Sequence, residues 1–264
     1  MDEELEFLSH TRPSAKKSSG KSFDETVTLD NAIDHYVDIV LEDQKQNYTS
    51  QLESFESYES KFREKAKEEL YSFKDHFLKG YELLLSELKL EFKDDEAALA
   101  PFVIRDDKFA AIDSFEKITQ FFGQEKLLYQ LLEYTPQMLT QLYKAAYKIT
   151  EEKRFQDGYD AYFFLISIAP HIREAWLNFG FACSMLGEHL SGVEAFSRAL
   201  ELDPTKADSY LAICGAYMKV DNYDDASRVC DIGIGFAEKH ASEPWATDLT
   251  SALNQAKYQI QNRH

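Results

Sequence analysis

The chain has 264 residues and a formal charge of −18, from 29 Lys and Arg against 47 Asp and Glu. That balance excludes nucleic acid as a general partner, because phosphate binding needs a basic surface. Hydrophobic residues make up 44%, enough for a core, and only 10 Gly and 6 Pro interrupt the chain, which points to an all-α fold.

Residues 1–22 read as a disordered, solvated tail, with Arg12, Lys16, Lys17 and Lys21 set among Ser and Gly. The opening MDEELEFLSH is acidic where a signal peptide would be basic. The longest apolar run, Ala161 to Ala169, is too short to span a bilayer. The chain is therefore expected to be cytoplasmic, without membrane insertion. Residues 23–95 form a long helical, coiled-coil-like segment. Phe55, Tyr58, Phe62, Ala66, Leu70, Phe73, Phe77, Tyr81, Leu84 and Leu88 recur there in steps of three and four. Fours are in excess, so the stripe follows an ordinary straight helix rather than a heptad seam. One helix of about forty or more residues is expected, after a shorter one and a break near Asn47. Its aromatic stripe must lie on something: a second helix of this chain, or a partner, including a second copy in a homodimer.

Residues 96–135 read as connector helices. Pro101 breaks the first of them, and Phe109, Ile112, Phe115, Ile118 and Phe122 then make one apolar helical face that stops at Gly123. Thr135-Pro136 has the form of a helix cap followed by a first helical residue.

From residue 136 a constant period appears. Gly158, Gly192 and Ala226 stand 34 residues apart, as do Tyr162, Phe196 and Cys230, and Leu142, Trp176 and Tyr210. Pro170 and Pro204 punctuate two units, and Leu186-Gly187 marks a tight turn inside the middle one. Small residues at Gly180, Gly192 and Ala226 allow close helix approach, while Trp176, Phe179 and Phe196 fill the layer between units. A 34-residue helix-turn-helix with this Trp, Phe, Ala and Pro order resembles the tetratricopeptide repeat. The resemblance implies three repeats in a short right-handed solenoid over 136–264. Glu243-Pro244 would open a C-terminal capping helix carrying Trp245, Leu249, Leu253, Ala256 and Ile260. With its complete register and cap, this region is expected to fold on its own.

No catalytic motif emerges. The seven His residues show no i, i+4 pair, and no Cys stands at metal-ligand spacing from any of them. Phosphate loops and nucleophile elbows are missing, so no enzyme, metal or cofactor is expected. Cys183, Cys214 and Cys230 read as small core residues in a reducing compartment.

What repeats of this type offer is a groove lined by the first helix of each unit. The register places Thr140, Tyr143, Tyr147 and Thr150 there from the first unit, Glu174, Leu177, Phe181 and Ser184 from the second, and Asp208, Leu211, Gly215 and Met218 from the third. The candidate peptide-binding residues are Tyr143, Tyr147, Leu177, Asn178, Phe181, Leu211 and Met218. A carboxylate clamp of the co-chaperone kind is disfavoured. Its places are held by Tyr143, Tyr147, Asn178, Asp208 and Ala212, of which only Asn178 matches, and Asp208 would repel a carboxylate.

The opening L-Y-x-x-A-Y (Leu142, Tyr143, Ala146, Tyr147), the segment Gly180-Phe181-Ala182-Cys183 and the stop after three units resemble the class II chaperones of bacterial type III secretion. That resemblance implies a small, acidic, cytoplasmic binder of unfolded translocators, holding an extended client segment in the groove. Those chaperones dimerise through a short helical N-terminus, whereas some 135 residues precede the repeats here. Two readings stand: a secretion-type chaperone for a protein or peptide client with apolar anchors, or a structural scaffold that docks folded partners through the repeats and the long helix.

Overall fold

A computed structural model describes residues 54–108 and 126–262, together with Asp38 and Leu41. The tail at 1–22, the break near Asn47 and the apolar helix from Phe109 to Phe122 lie outside the described residues. What is described is helical, with no strand among these residues.

The long helix α1 runs from Phe55 to Glu91, 37 residues. Ser54 caps it, its hydroxyl accepting from the Ser57 N–H at 3.3 Å. It spans the whole apolar stripe from Phe55 to Leu88, at 37 residues against the about forty or more expected. A short helix α2 (Glu96–Leu99) and a 3-10 turn (Ala100–Phe102) built on Pro101 follow, then α3 (Leu128–Leu131).

The repeats occupy three helix pairs: α4 (Pro136–Glu151) with α5 (Phe155–Ile168), α6 (Arg173–Met185) with α7 (His189–Leu202), and α8 (Ala207–Lys219) with α9 (Tyr223–Lys239). Thr135 caps α4 through a 3.2 Å bond from the Met138 N–H, with Pro136 in the first turn. The last helix, α10 (Pro244–Gln261), closes the array with Leu249 and Leu253 buried. The fold is thus an all-α array of three tetratricopeptide-type helix pairs with a capping helix.

The turn inside each pair repeats as faithfully as the helices. Lys153, Gly187 and Asp221 all have positive φ, at 61°, 88° and 56°. At each turn the following N–H reaches back to a carbonyl five residues earlier: Arg154 to Ile149 at 3.3 Å, Glu188 to Cys183 and Asn222 to Tyr217 at 2.9 Å. This closure satisfies carbonyls that the helix end would leave open. Only the middle turn uses glycine, so only that one was legible as a turn in the sequence. The link between pairs repeats too: Trp176 Nε1 donates to the Pro170 carbonyl at 2.8 Å, and the Tyr210 hydroxyl donates to that of Pro204 at 3.3 Å.

The aromatic stripe of α1 finds its cover within the chain. Phe77, Tyr81, Leu84 and Leu88 are buried in one cluster with Leu142, Ile149, Phe164 and Leu165 of the first repeat. The rings of Phe77 and Phe164 lie 4.8 Å apart, and those of Phe73 and Phe163 5.1 Å. Gly80 makes this contact feasible, since a Cβ there would sit 2.0 Å from the backbone oxygen of Asp160. The connector joins the same cluster: Tyr81 Oη accepts from the Ile104 N–H at 2.7 Å, and Tyr134 Oη donates to the Phe102 carbonyl at 2.8 Å. A second cluster, from Val193 to Ile260, fills the rest of the array. The N-terminal part of α1 packs elsewhere, with Phe55, Tyr58, Phe62 and Ala66 around Leu41 and Arg63 paired to Asp38.

Candidate functional site

The first helices of the repeats, α4, α6 and α8, contact one another in order. The 34-residue register divides the lining expected for their shared face into three sets of side chains. One set, Tyr143, Leu177 and Leu211, lies partly sunk between helices. Tyr143 and Leu177 are half-buried, whereas Leu211 is 38% exposed. Tyr143 sits over Tyr162, with ring centres 6.1 Å apart, and its hydroxyl accepts from Asn178 Nδ2 at 2.8 Å. Asn178 also donates to the Glu174 carbonyl at 2.9 Å, so it bridges the first two repeats. Burial, with help from the Glu174 carboxylate, pushes the Tyr143 phenol above its ordinary range, so it stays protonated at neutral pH.

The second set is Tyr147, Phe181 and Gly215. Tyr147 is 46% exposed and Phe181 47% exposed, a large fraction for aromatic residues on an ordered helix. The rest of the Phe181 ring rests edge-on against Phe196, 5.1 Å between centres. At Gly215 the row has no side chain, and nothing lies within 4 Å of where a Cβ would stand. The sequence register placed Gly215 on this face. That it opens onto empty space depends on the neighbouring helices and had no signature in the chain.

The third set turns inward. A Cβ on Gly158 would meet Thr150 Cγ2 at 2.3 Å, and one on Gly192 would meet Ser184 Oγ at 2.6 Å. Thr150 and Ser184 therefore face the second helix of their own pair and not the shared face. Met218, their counterpart, is half-buried and packs on the second core cluster.

Asp208 does not present a bare negative charge. Arg173, nearly buried, pairs with it and also donates to Ser209 Oγ at 3.0 Å, linking α6 to α8. The sequence does not mark these two as a pair, because they stand 35 residues apart in different repeats. Arg173 thus offsets the Asp208 charge, and the face presents exposed aromatic and aliphatic carbon beside fixed polar groups. Among the described residues no cluster of three His, Cys, Asp or Glu side chains is placed to hold a metal ion. No helix among them is long and apolar enough to cross a membrane.

Several solved structures are similar to about half of the chain. A type III secretion complex from Aeromonas hydrophila is 14% identical over 55% of this chain and 95% of its own, with a TM-score of 0.48. The type III secretion translocator chaperone SycD of Yersinia enterocolitica is 14% identical, over 51% of this chain and 98% of its own, at 0.44. The TPR2B domain of yeast Sti1, solved with pHsp70, is 17% identical over 48% of this chain and 98% of its own, at 0.40. No family model and no curated protein matches the chain.

Proposed function

We propose that the α4–α6–α8 face holds an extended apolar segment of a client protein, and that the chain is a cytoplasmic chaperone of the type III secretion kind rather than an enzyme. One observation carries the binding part. Tyr147 and Phe181 occupy equivalent places in adjacent repeats, project about half of their surface into solvent, and point along a row whose third place is empty. Aromatic groups held this way on rigid helices are anchors at low entropic cost. The secretion part of the reading rests on the sequence resemblance of the first two repeats. A scaffold that docks folded partners is the competing use of the same face.

Purification from the native host of the wild-type chain and of Tyr147→Ala and Phe181→Ala, with mass spectrometry of what accompanies each, tests the proposal. The wild type is expected to bring one dominant client, whose affinity for either variant falls about ten- to a hundredfold, the loss of one anchor of about 1.5–3 kcal/mol. Stability is expected to fall far less than for Phe196→Ala, which empties about 3–5 kcal/mol of core packing. Full-strength binding by both variants would place the client elsewhere. Unfolding as severe as that of Phe196→Ala would show that the face is core.

A further inference from the structure

Cys214 and Cys230 stand 16 residues apart in the chain, a spacing without any thiol motif, yet the fold brings their sulfurs to 3.3 Å. Cys214 is on α8 and Cys230 on α9, so the contact joins the two helices of the third repeat. Both are buried free thiols. The Cys214 sulfur also lies 3.2 Å from the Ala226 carbonyl, which fixes its side chain beside its partner. The third thiol, Cys183, is buried as well, and desolvation pushes it up to about 12, leaving it almost wholly protonated and inert at neutral pH.

We propose that Cys214 and Cys230 are a redox modification site, at which a hydroperoxide forms a reversible disulfide between α8 and α9. The sulfurs need to approach by little more than about 1 Å to reach bonding distance. Once Cys230 has given its proton to solvent, its thiolate, held 3.3 Å from the Cys214 sulfur, attacks the peroxide O–O bond. A sulfenic acid forms on Cys230, and the leaving hydroxide takes up the proton that Cys230 released and departs as water when hydrogen peroxide is the oxidant. The Cys214 sulfur then attacks the sulfenyl sulfur, the S–S bond forms, and the displaced hydroxyl leaves with the Cys214 proton as a second water. Two thiols are oxidised and one peroxide is reduced, with no further reactant. Hydrogen peroxide is little larger than water, so local opening of the helix pair suffices to admit it. A reductant that exchanges thiols restores the pair. This proposal stands independently of the reading of the client face.

The test uses the full chain and hydrogen peroxide. Treated protein is denatured, its remaining thiols are alkylated with iodoacetamide, and intact mass and proteolytic peptides are measured. The expected product is a monomeric chain lighter by two hydrogens, alkylated once, at Cys183, with one linked peptide pair holding Cys214 and Cys230. Dithiothreitol is expected to restore all three thiols. Cys230→Ser should abolish the intramolecular disulfide. If that variant fails to fold, the wild-type peptide map decides alone. Retention of three alkylatable thiols, consumption of Cys183 first, a link between two chains, or an intramolecular disulfide in Cys230→Ser would each overturn the proposal.

Discussion

Glu87 and Asp160 stand on opposite sides of the contact between α1 and the first repeat. Glu87, on α1, is reached by Arg154 Nη1 at 2.7 Å and by Lys148 Nζ at 3.0 Å. Asp160, on α5, is reached by His76 Nδ1 and by Lys79 Nζ, both at 2.5 Å from α1. Each partner thus offers a buried carboxylate to nitrogen groups of the other, an arrangement that one turn of slippage would break. Pairs of this kind add little net stability and specify register. Burial alone would raise the Glu87 carboxyl, but hydrogen bonds from Arg154 and Lys148 outweigh it and hold it below the ordinary range. Its contribution is therefore present above the unfolded value, about 4.3, and is lost as pH falls through the lower folded value. Denaturation curves between neutral and acid pH should show wild-type stability dropping on acidification, with a shallower drop for Glu87→Gln, which is already weaker at neutral pH. Parallel curves would remove Glu87 from the linkage. Neither carboxylate was legible among 47 acidic residues, because nothing in the chain marks which ones a partner helix will cover. Tyr147 and Phe181 share their expected groove lining with Thr150 and Ser184, and the register alone does not tell the exposed row from the one that turns inward.

At the scale of elements, the 34-residue period located the repeat helices and the caps Thr135-Pro136 and Glu243-Pro244, because packing and capping both leave marks in sequence. The partner of α1 left none. An apolar stripe states that a helix lies on something and does not name the surface, so it leaves a homodimer open beside an in-chain bundle. In the structure the Phe77–Leu88 portion lies on the first repeat, and Gly80 is the point of closest approach. In an exposed helix a glycine replacement by alanine would gain about 1 kcal/mol of helix propensity. Here a Cβ would collide with the Asp160 backbone, which cannot rotate away. Gly80→Ala is therefore expected to destabilise by about 1–3 kcal/mol in chemical denaturation, the cost of overpacking. An increase in stability would mean that α1 does not sit this close to α5.

Across the whole molecule, the boundary suggested near residue 136 is crossed by one continuous core, from Phe77 on α1 to Ala175 on α6. We propose that the repeats take their first layer from α1. A fragment of residues 136–264 would then expose Phe164, which is fully buried in the chain against Phe77 and Tyr81. It is expected to melt lower and less cooperatively than a fragment of residues 54–264, as followed by circular dichroism. Equal, sharp transitions would make the repeat region autonomous after all. The central claim, that the exposed α4–α6–α8 face is where a client lies, is tested most directly by filling its empty place. Gly215→Leu puts a side chain into open space on an exposed helix position, so the core is untouched and helix propensity improves. Client affinity and thermal midpoint would be measured on the same preparation. Client binding is expected to weaken by about tenfold or more, with a midpoint no lower than wild type. Unchanged affinity in a variant of unchanged stability would contradict it.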